Sequence, residues 1–191
     1  FDARHQQFLV VGSGDQSIHL LENRHGTLVR TLEKRIPELG TQYCRSITLH
    51  QGLLHFVGNE DIVIYRVERG SVSATGQVIH LPQNYQGSND IFFLGSHHGI
   101  FTSTPQKAFL FSSLDELANG TAQDVSAAFR GTPYSVSRFD GRLWIPEITE
   151  YSAIRSYPAG GDSISQASAR TLFDFGEPDS KSMERKRQIP T

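Results

Sequence analysis

Leu53-Leu54-His55-Phe56-Val57-Gly58-Asn59-Glu60-Asp61-Ile62-Val63-Ile64-Tyr65-Arg66-Val67 is a pair of short apolar runs joined by a polar turn. β-Branched and aromatic residues are concentrated in the runs and Gly, Asn and Asp in the turn, the composition of an antiparallel hairpin. Working outward, residues 45–49 and the turn His50-Gln51-Gly52 add a strand before the pair, and a weaker run at 77–81 adds one after it. The unit therefore reads as four strands in meander order. The same beat returns along the chain: first runs begin at Phe8, Leu53, Ile100 and Leu143, second runs at Ile18, Ile62, Ala108 and Ile154. The intervals are 45, 47 and 43 residues for the first set and 44, 46 and 46 for the second.

Strands and turns at that period, with no apolar residues at the 3.6-residue spacing of a helical repeat, predict an all-β chain: a β-propeller of about four four-stranded antiparallel blades. Period fixes blade size and leaves blade number open, so a complete small ring and part of a larger one both fit. The expected blades span residues 8–38, 44–82, 89–126 and 133–176, and a polar, Pro-interrupted tail spans 177–191. The first unit starts on the equivalent of the second strand of the others and so lacks an innermost strand. In the third unit Leu114, Leu117 and Ala118 suit one helical turn, and in the fourth a strand at 134–139 leads into Asp140-Gly141, the clearest two-residue hairpin signal in the chain.

Composition bounds the partners. Of the 191 residues 37% are hydrophobic, enough for a real core, and the formal charge of −2 argues against nucleic acid as the partner. One cysteine, Cys44, forms no intrachain disulfide, which favours a reducing, intracellular setting, cytoplasmic or nuclear. The apolar runs are too short to cross a bilayer and the N-terminus carries no signal pattern, so no membrane association is expected.

Val11-Gly12-Ser13-Gly14-Asp15-Gln16-Ser17-Ile18-His19-Leu20-Leu21-Glu22, followed by the run from Gly26 to Leu32, resembles a blade of the WD-repeat family. Leu21-Glu22 and, in the second unit, Tyr65-Arg66 stand in the places of that family's Trp-Asp pair. The resemblance implies that Asp15, and more loosely Asp61, hydrogen-bond within their blades. It is strongest over residues 8–67, and the Gly-His dipeptide of the family pattern is absent.

Candidate sites are few. His97-His98 lies in a turn, where adjacent side chains on an extended chain diverge and do not chelate one ion, so a solvated turn is expected. His19 and His55 sit in apolar strands and read as imidazoles hydrogen-bonded within a blade. Gly12-Ser13-Gly14 joins strand to strand and offers no helix N-terminus to a phosphate. Cys44, despite adjacent Arg45, reads as an inert, half-buried thiol. Asn119-Gly120-Thr121 is a glycosylation sequon in a surface loop. Arg185-Lys186-Arg187, with Lys181, is a short basic cluster expected to be solvated.

Phe139-Asp140-Gly141-Arg142-Leu143-Trp144-Ile145-Pro146-Glu147 resembles a strand-turn-strand of six-bladed lactonase-like and lyase-like propellers, which implies Glu147 as a metal ligand facing an axial channel. The equivalent positions of the other units are Gly12, Gly58 and Thr104, which are not strong ligands. The expectation is therefore no metal, no cofactor and no catalytic residues, with Glu147→Gln nearly neutral for stability. Trp144 is expected to pack between blades and Phe56 in the core, so that replacing either with Ala costs about 3–5 kcal/mol while His97→Ala changes little. The segments Phe1-Asp2-Ala3 and Ala127-Ala128-Phe129 faintly echo hemopexin-like four-bladed binders. The expected function is a non-enzymatic scaffold binding a protein or peptide through its loops and faces, with further blades or subunits as possible ring-completing partners; the alternatives are a metal-dependent lactonase-like or lyase-like enzyme and a hemopexin-like binding protein.

Overall fold

The computed structural model describes residues 7–12, 16–40, 42–68, 71–148, 153–158, 164 and 169–174. The chain is all-β, with four small antiparallel sheets arranged as the blades of a propeller. The first sheet holds β1 (Gln7–Gly12), β2 (Ser17–Arg24) and β3 (Thr27–Arg35). The second holds β4 (Ser46–His50), β5 (Leu53–Val57), β6 (Asp61–Glu68) and β7 (Ser71–His80), in that order. The third holds β8 (Ser88–Phe93), β9 (Gly99–Ser103), β10 (Lys107–Phe111) and a two-residue β11 (Gln123–Asp124). In the fourth, β12 (Thr132–Pro133) and β13 (Ser137–Phe139) both pair with β14 (Arg142–Ile148), which is followed by β15 (Ala153–Pro158) and β16 (Arg170–Asp174).

The hairpins follow from turn chemistry. Asp140-Gly141 and Gln51-Gly52 each take two successive positive φ angles, 49° and 67°, then 50° and 75°. This is the pattern of a two-residue turn whose twist matches the flanking strands, and glycine meets its second position without a Cβ penalty. α1 (Leu114–Asn119) is a single short helix whose first turn is held by the Glu116 carboxylate, which accepts from the Ser112 N–H at 2.7 Å. Among the described residues no helix is long and apolar enough to cross a membrane.

Strand alternation sends each sheet's two faces to different neighbours. Leu9, Ile18 and Leu32 of the first sheet meet Leu54, Phe56, Val63, Tyr65 and Val72 of the second. The opposite face of the second sheet, with Val57, Ile62 and Ile64, meets Ile91, Phe101, Phe109 and Phe111 of the third. Ile100 and Ala108 of the third meet Leu143, Ile145 and Tyr157 of the fourth. Polar links cross these seams. Lys34 Nζ donates to the Val72 carbonyl at 2.9 Å, Thr48 Oγ1 to the Ile91 carbonyl at 2.6 Å, and the Val136 N–H to Asp90 at 2.8 Å. Burial raises the Asp90 pKa, and the Val136 and Ile91 N–H groups partly oppose that shift.

Three strands differ from expectation. The run at 77–81 belongs to the ten-residue β7, whose start is masked in the sequence by exposed polar positions and a register shift opposite Val63–Tyr65. The strand expected at 134–139 is shortened to β13, with β12 standing ahead of it: the Tyr134 N–H still reaches the Pro146 carbonyl of β14 at 3.1 Å, but the Val136 N–H turns to Asp90. Trp144, expected between blades, is half-buried on the face turned away from the third sheet. It meets Phe139 edge-on at 5.5 Å, and the packing positions of β14 are its neighbours Leu143 and Ile145.

Candidate functional site

Where the turn after β4, the turn after β8 and the start of α1 converge on one rim, they enclose a groove of about 510 Å³ between the second and third blades. Leu53, Phe93 and Leu114 give it an apolar floor, and Gln51, Gln77, Ser96, Ser113 and Asp115 stand among its polar walls. Three imidazoles, His50, His55 and His97, also line it. The His50 ring stacks on Phe93, with centroids 4.1 Å apart and planes 4° from parallel, while its Nε2 donates to the Ser96 carbonyl at 2.9 Å. Phe93 is wedged further by His55 at 4.7 Å and by Phe111, edge-on, at 5.6 Å. The floor is therefore held by ring packing that spans two blades. A smaller cavity of about 230 Å³ lies alongside, lined by His98, Leu110, Glu116 and Gln123, and shares Ser112 with the groove. A groove with an apolar floor and a polar rim suits an apolar side chain carried on a hydrogen-bonding backbone.

His55 is 2% exposed, and its Nδ1–H donates to the Thr48 carbonyl at a long 3.4 Å. Burial is the main force pushing its pKa down to about 4, with nearby His50 adding to the shift. The folded state thus prefers neutral His55, and the unfolded chain takes up its proton near pH 6.5. The stability from this residue is complete above pH 6.5 and is lost as pH falls towards 4. Between pH 7 and pH 5 the linkage amounts to about 2 kcal/mol. Urea midpoints across this range are expected to fall more steeply for the wild type than for His55→Gln; equal slopes would assign the acid sensitivity elsewhere.

The other sequence candidates are dispersed. His97 and His98 are exposed in the β8–β9 turn, as expected, and only His97 reaches the groove. His19 is half-buried, with Ser17 Oγ 2.7 Å from its Nε2, a contact within its own strand. Cys44 is half-buried, its Sγ donating to the Ser46 carbonyl at 3.4 Å, and burial raises its pKa to about 11. Adjacent Arg45 does not offset that. Asn119 ends α1 on the surface. Asp61 accepts from His80 Nδ1 at 2.6 Å within its blade and from Gln42 Nε2 at 2.6 Å. Residues 13–15, which carry Asp15 and most of the glycine turn, the Phe1-Asp2-Ala3 segment, Lys181 and Arg185-Lys186-Arg187 lie outside the described residues.

Glu147 is fully buried on the seam between the third and fourth blades. Its Oε2 accepts from the Arg130 and Gly131 N–H groups at 2.8 and 3.1 Å. Its Oε1 accepts from the Tyr157 hydroxyl at 2.7 Å, with Arg155 Nε 3.7 Å away. Burial and then Glu147 push the Tyr157 pKa well above its usual value. In this geometry Glu147 ties β14 to the 128–131 loop; the near-neutral effect expected for Glu147→Gln does not fit such an environment. Among the described residues no three His, Cys, Asp or Glu side chains are placed to hold a metal ion.

The groove itself was not legible in the sequence. His50, Phe93 and Leu114 come from three separate elements, and the only local signal was the helical spacing of Leu114, Leu117 and Ala118 beside a strand end.

No family model matches the sequence, and no curated protein matches it. Among solved structures, the chain superposes on one in a nidogen/laminin complex with a TM-score of 0.54 at 12% identity, covering 92% of this chain and 61% of that one. This chain thus spans less than two thirds of that structure's length. A Bacteroides fragilis protein described provisionally as a 6-phosphogluconolactonase gives 0.49 at 6% identity, over 88% of this chain and 54% of that one. The N-terminal domain of Nup159 gives 0.48 at 11%, over 100% and 45%. At these identities the likeness is one of fold alone.

Proposed function

We propose that the chain is a propeller binding module that recognises a protein or peptide partner, and that an apolar partner side chain seats in the groove between the second and third blades. The observation that carries this reading is the composition of the groove: Leu53, Phe93 and Leu114 form a fixed apolar floor beneath hydrogen-bonding walls. Kinship with WD-repeat propellers belongs to the same proposal, supported by the intra-blade bond of Asp61. So does an intracellular, cytoplasmic or nuclear setting, supported by the single thiol.

The test is selection of a random peptide library on the purified chain, with chemical-shift mapping of the selected peptides. Perturbations should centre on residues 50–55, 93–97 and 112–115. Leu114→Asp, which puts a charge on a half-buried floor position, should weaken binding by about 10-fold or more, the size of a small hot spot. Peptides that map to the opposite rim and bind Leu114→Asp unchanged would refute the assignment.

A further inference from the structure

The cavity of about 230 Å³ beside the groove is a second, chemically different hollow. Leu94, Leu110 and Phe111 give it apolar walls, and the Glu116 side chain of α1 stands among them with Thr121 and Gln123. The Glu116 carboxylate is held in place: its Oε2 accepts from the Ser112 N–H at 2.7 Å. Among the described residues no hydrogen bond engages its Oε1. The His98 ring, which also lines the cavity, occupies the space that a Cβ on Gly95 would need, so glycine there leaves it room. Asp115, the residue before Glu116, lines the groove itself. Among the described residues no Lys or Arg lines either hollow; the other titratable side chains there are the imidazoles of His50, His55, His97 and His98. The joined hollows therefore carry two acidic side chains, and no lysine or arginine in their lining answers them.

We propose that this cavity receives a Lys or Arg side chain of the partner segment, carried close in sequence to the apolar side chain that fills the groove. The inference rests on the groove being the peptide site and adds the charge of the peptide. A long basic side chain needs apolar surface for its methylene stem and an acceptor for its head. Leu94, Leu110 and Phe111 offer the first, and the Oε1 of the anchored Glu116 offers the second. The other occupants fit less well. A second apolar side chain would cover Glu116 and leave its free oxygen without a partner, at the cost of a desolvated acceptor. An acidic side chain would stand against Glu116, with Asp115 next to it in sequence, and like charges at an interface repel. Because the two hollows share Ser112, one short extended segment reaches both.

Peptides selected from a random library on the purified chain supply the probes, as fluorescein-labelled synthetic copies titrated with the whole chain. The recovered sequences should carry Lys or Arg within a few residues of an apolar anchor. Replacing that basic residue with norleucine keeps the stem and removes the charge, and should weaken binding by about 10-fold. Glu116→Gln should weaken the parent peptide by a similar factor and leave the norleucine peptide almost unchanged, the non-additivity of a direct contact. The Gln amide oxygen can still accept from the Ser112 N–H, and unchanged backbone shifts across α1 check that it does. Added NaCl should weaken the parent peptide more than the norleucine peptide. Peptides that map to the groove through an apolar anchor with no enrichment of Lys or Arg would overturn this inference and leave the groove reading standing. Peptides that map away from residues 50–55, 93–97 and 112–115 would overturn both. Equal losses of the parent and norleucine peptides on Glu116→Gln would give Glu116 a structural role only and sink the proposed ion pair.

Discussion

Phe56→Ala is expected to lower the unfolding free energy by about 3–5 kcal/mol, the range for removing a buried aromatic ring and leaving a cavity. Phe56 is fully buried in the seam between the first two blades, where its ring meets Tyr65 edge-on at 5.6 Å. Tyr65 in turn donates to the Glu38 carboxylate at 2.5 Å, and burial followed by that carboxylate drives the Tyr65 pKa upward. The cavity would therefore open beside a polar anchor that resists collapse. A domain of this size has only about 5–15 kcal/mol of stability in total, so the loss should be visible as a large drop in urea midpoint. Trp144→Ala should lose below about 2 kcal/mol, because its ring is only half-buried and its one ring contact among the described residues is with the exposed Phe139. Equal losses for the two variants would show that Trp144 is packed as tightly as Phe56.

The contrast between these two aromatics marks how far the sequence could be read. Both sit mid-strand in apolar runs, and period alone assigns both to a core. What separates them is the face of the sheet: Phe56 lies on the face that packs on the first sheet, and Trp144 on the face turned away from the third. The hairpin rhythm was legible because turn chemistry is local: Asp140-Gly141 and the Gln51-Gly52 pair encode their own dihedrals. The three-stranded first blade was legible for the same reason. β7 and the split β12–β13 were not, since one is polar along much of its length and the other is broken by a bond from Val136 to Asp90 in a different blade. The groove illustrates the same limit. Its rings approach across a seam, and no spacing along the chain reports that His50 will lie flat on Phe93.

Glu147 lies in an environment that its sequence position does not announce. The lactonase-like resemblance implies a ligand reaching into a channel, an alternative to the expected absence of a metal, whereas alternation along β14 places Glu147 with Leu143 and Ile145 on the face that meets the third blade. There three groups donate to it, two backbone N–H groups and the Tyr157 hydroxyl, and the Arg155 guanidinium stands 3.7 Å away as an opposite charge. Glu147→Ala would strip the acceptor from the Arg130 and Gly131 N–H groups and remove the buried carboxylate that stands beside Arg155, so a loss of about 3–5 kcal/mol is expected. Glu147→Gln should fall between. Its amide oxygen can keep the Arg130 and Gly131 N–H groups, and its NH2 can donate to Tyr157, whose hydroxyl turns to the Ala128 carbonyl 3.2 Å away. Arg155, however, loses its carboxylate neighbour. Urea unfolding of the single variants and of the double variant with Tyr157→Phe separates these contributions, with a coupling of at least about 1 kcal/mol between Glu147 and Tyr157 expected for a buried charge-assisted bond. If Glu147→Ala unfolds within about 1 kcal/mol of the wild type, the carboxylate is not the clamp of this seam and its burial has some other cause.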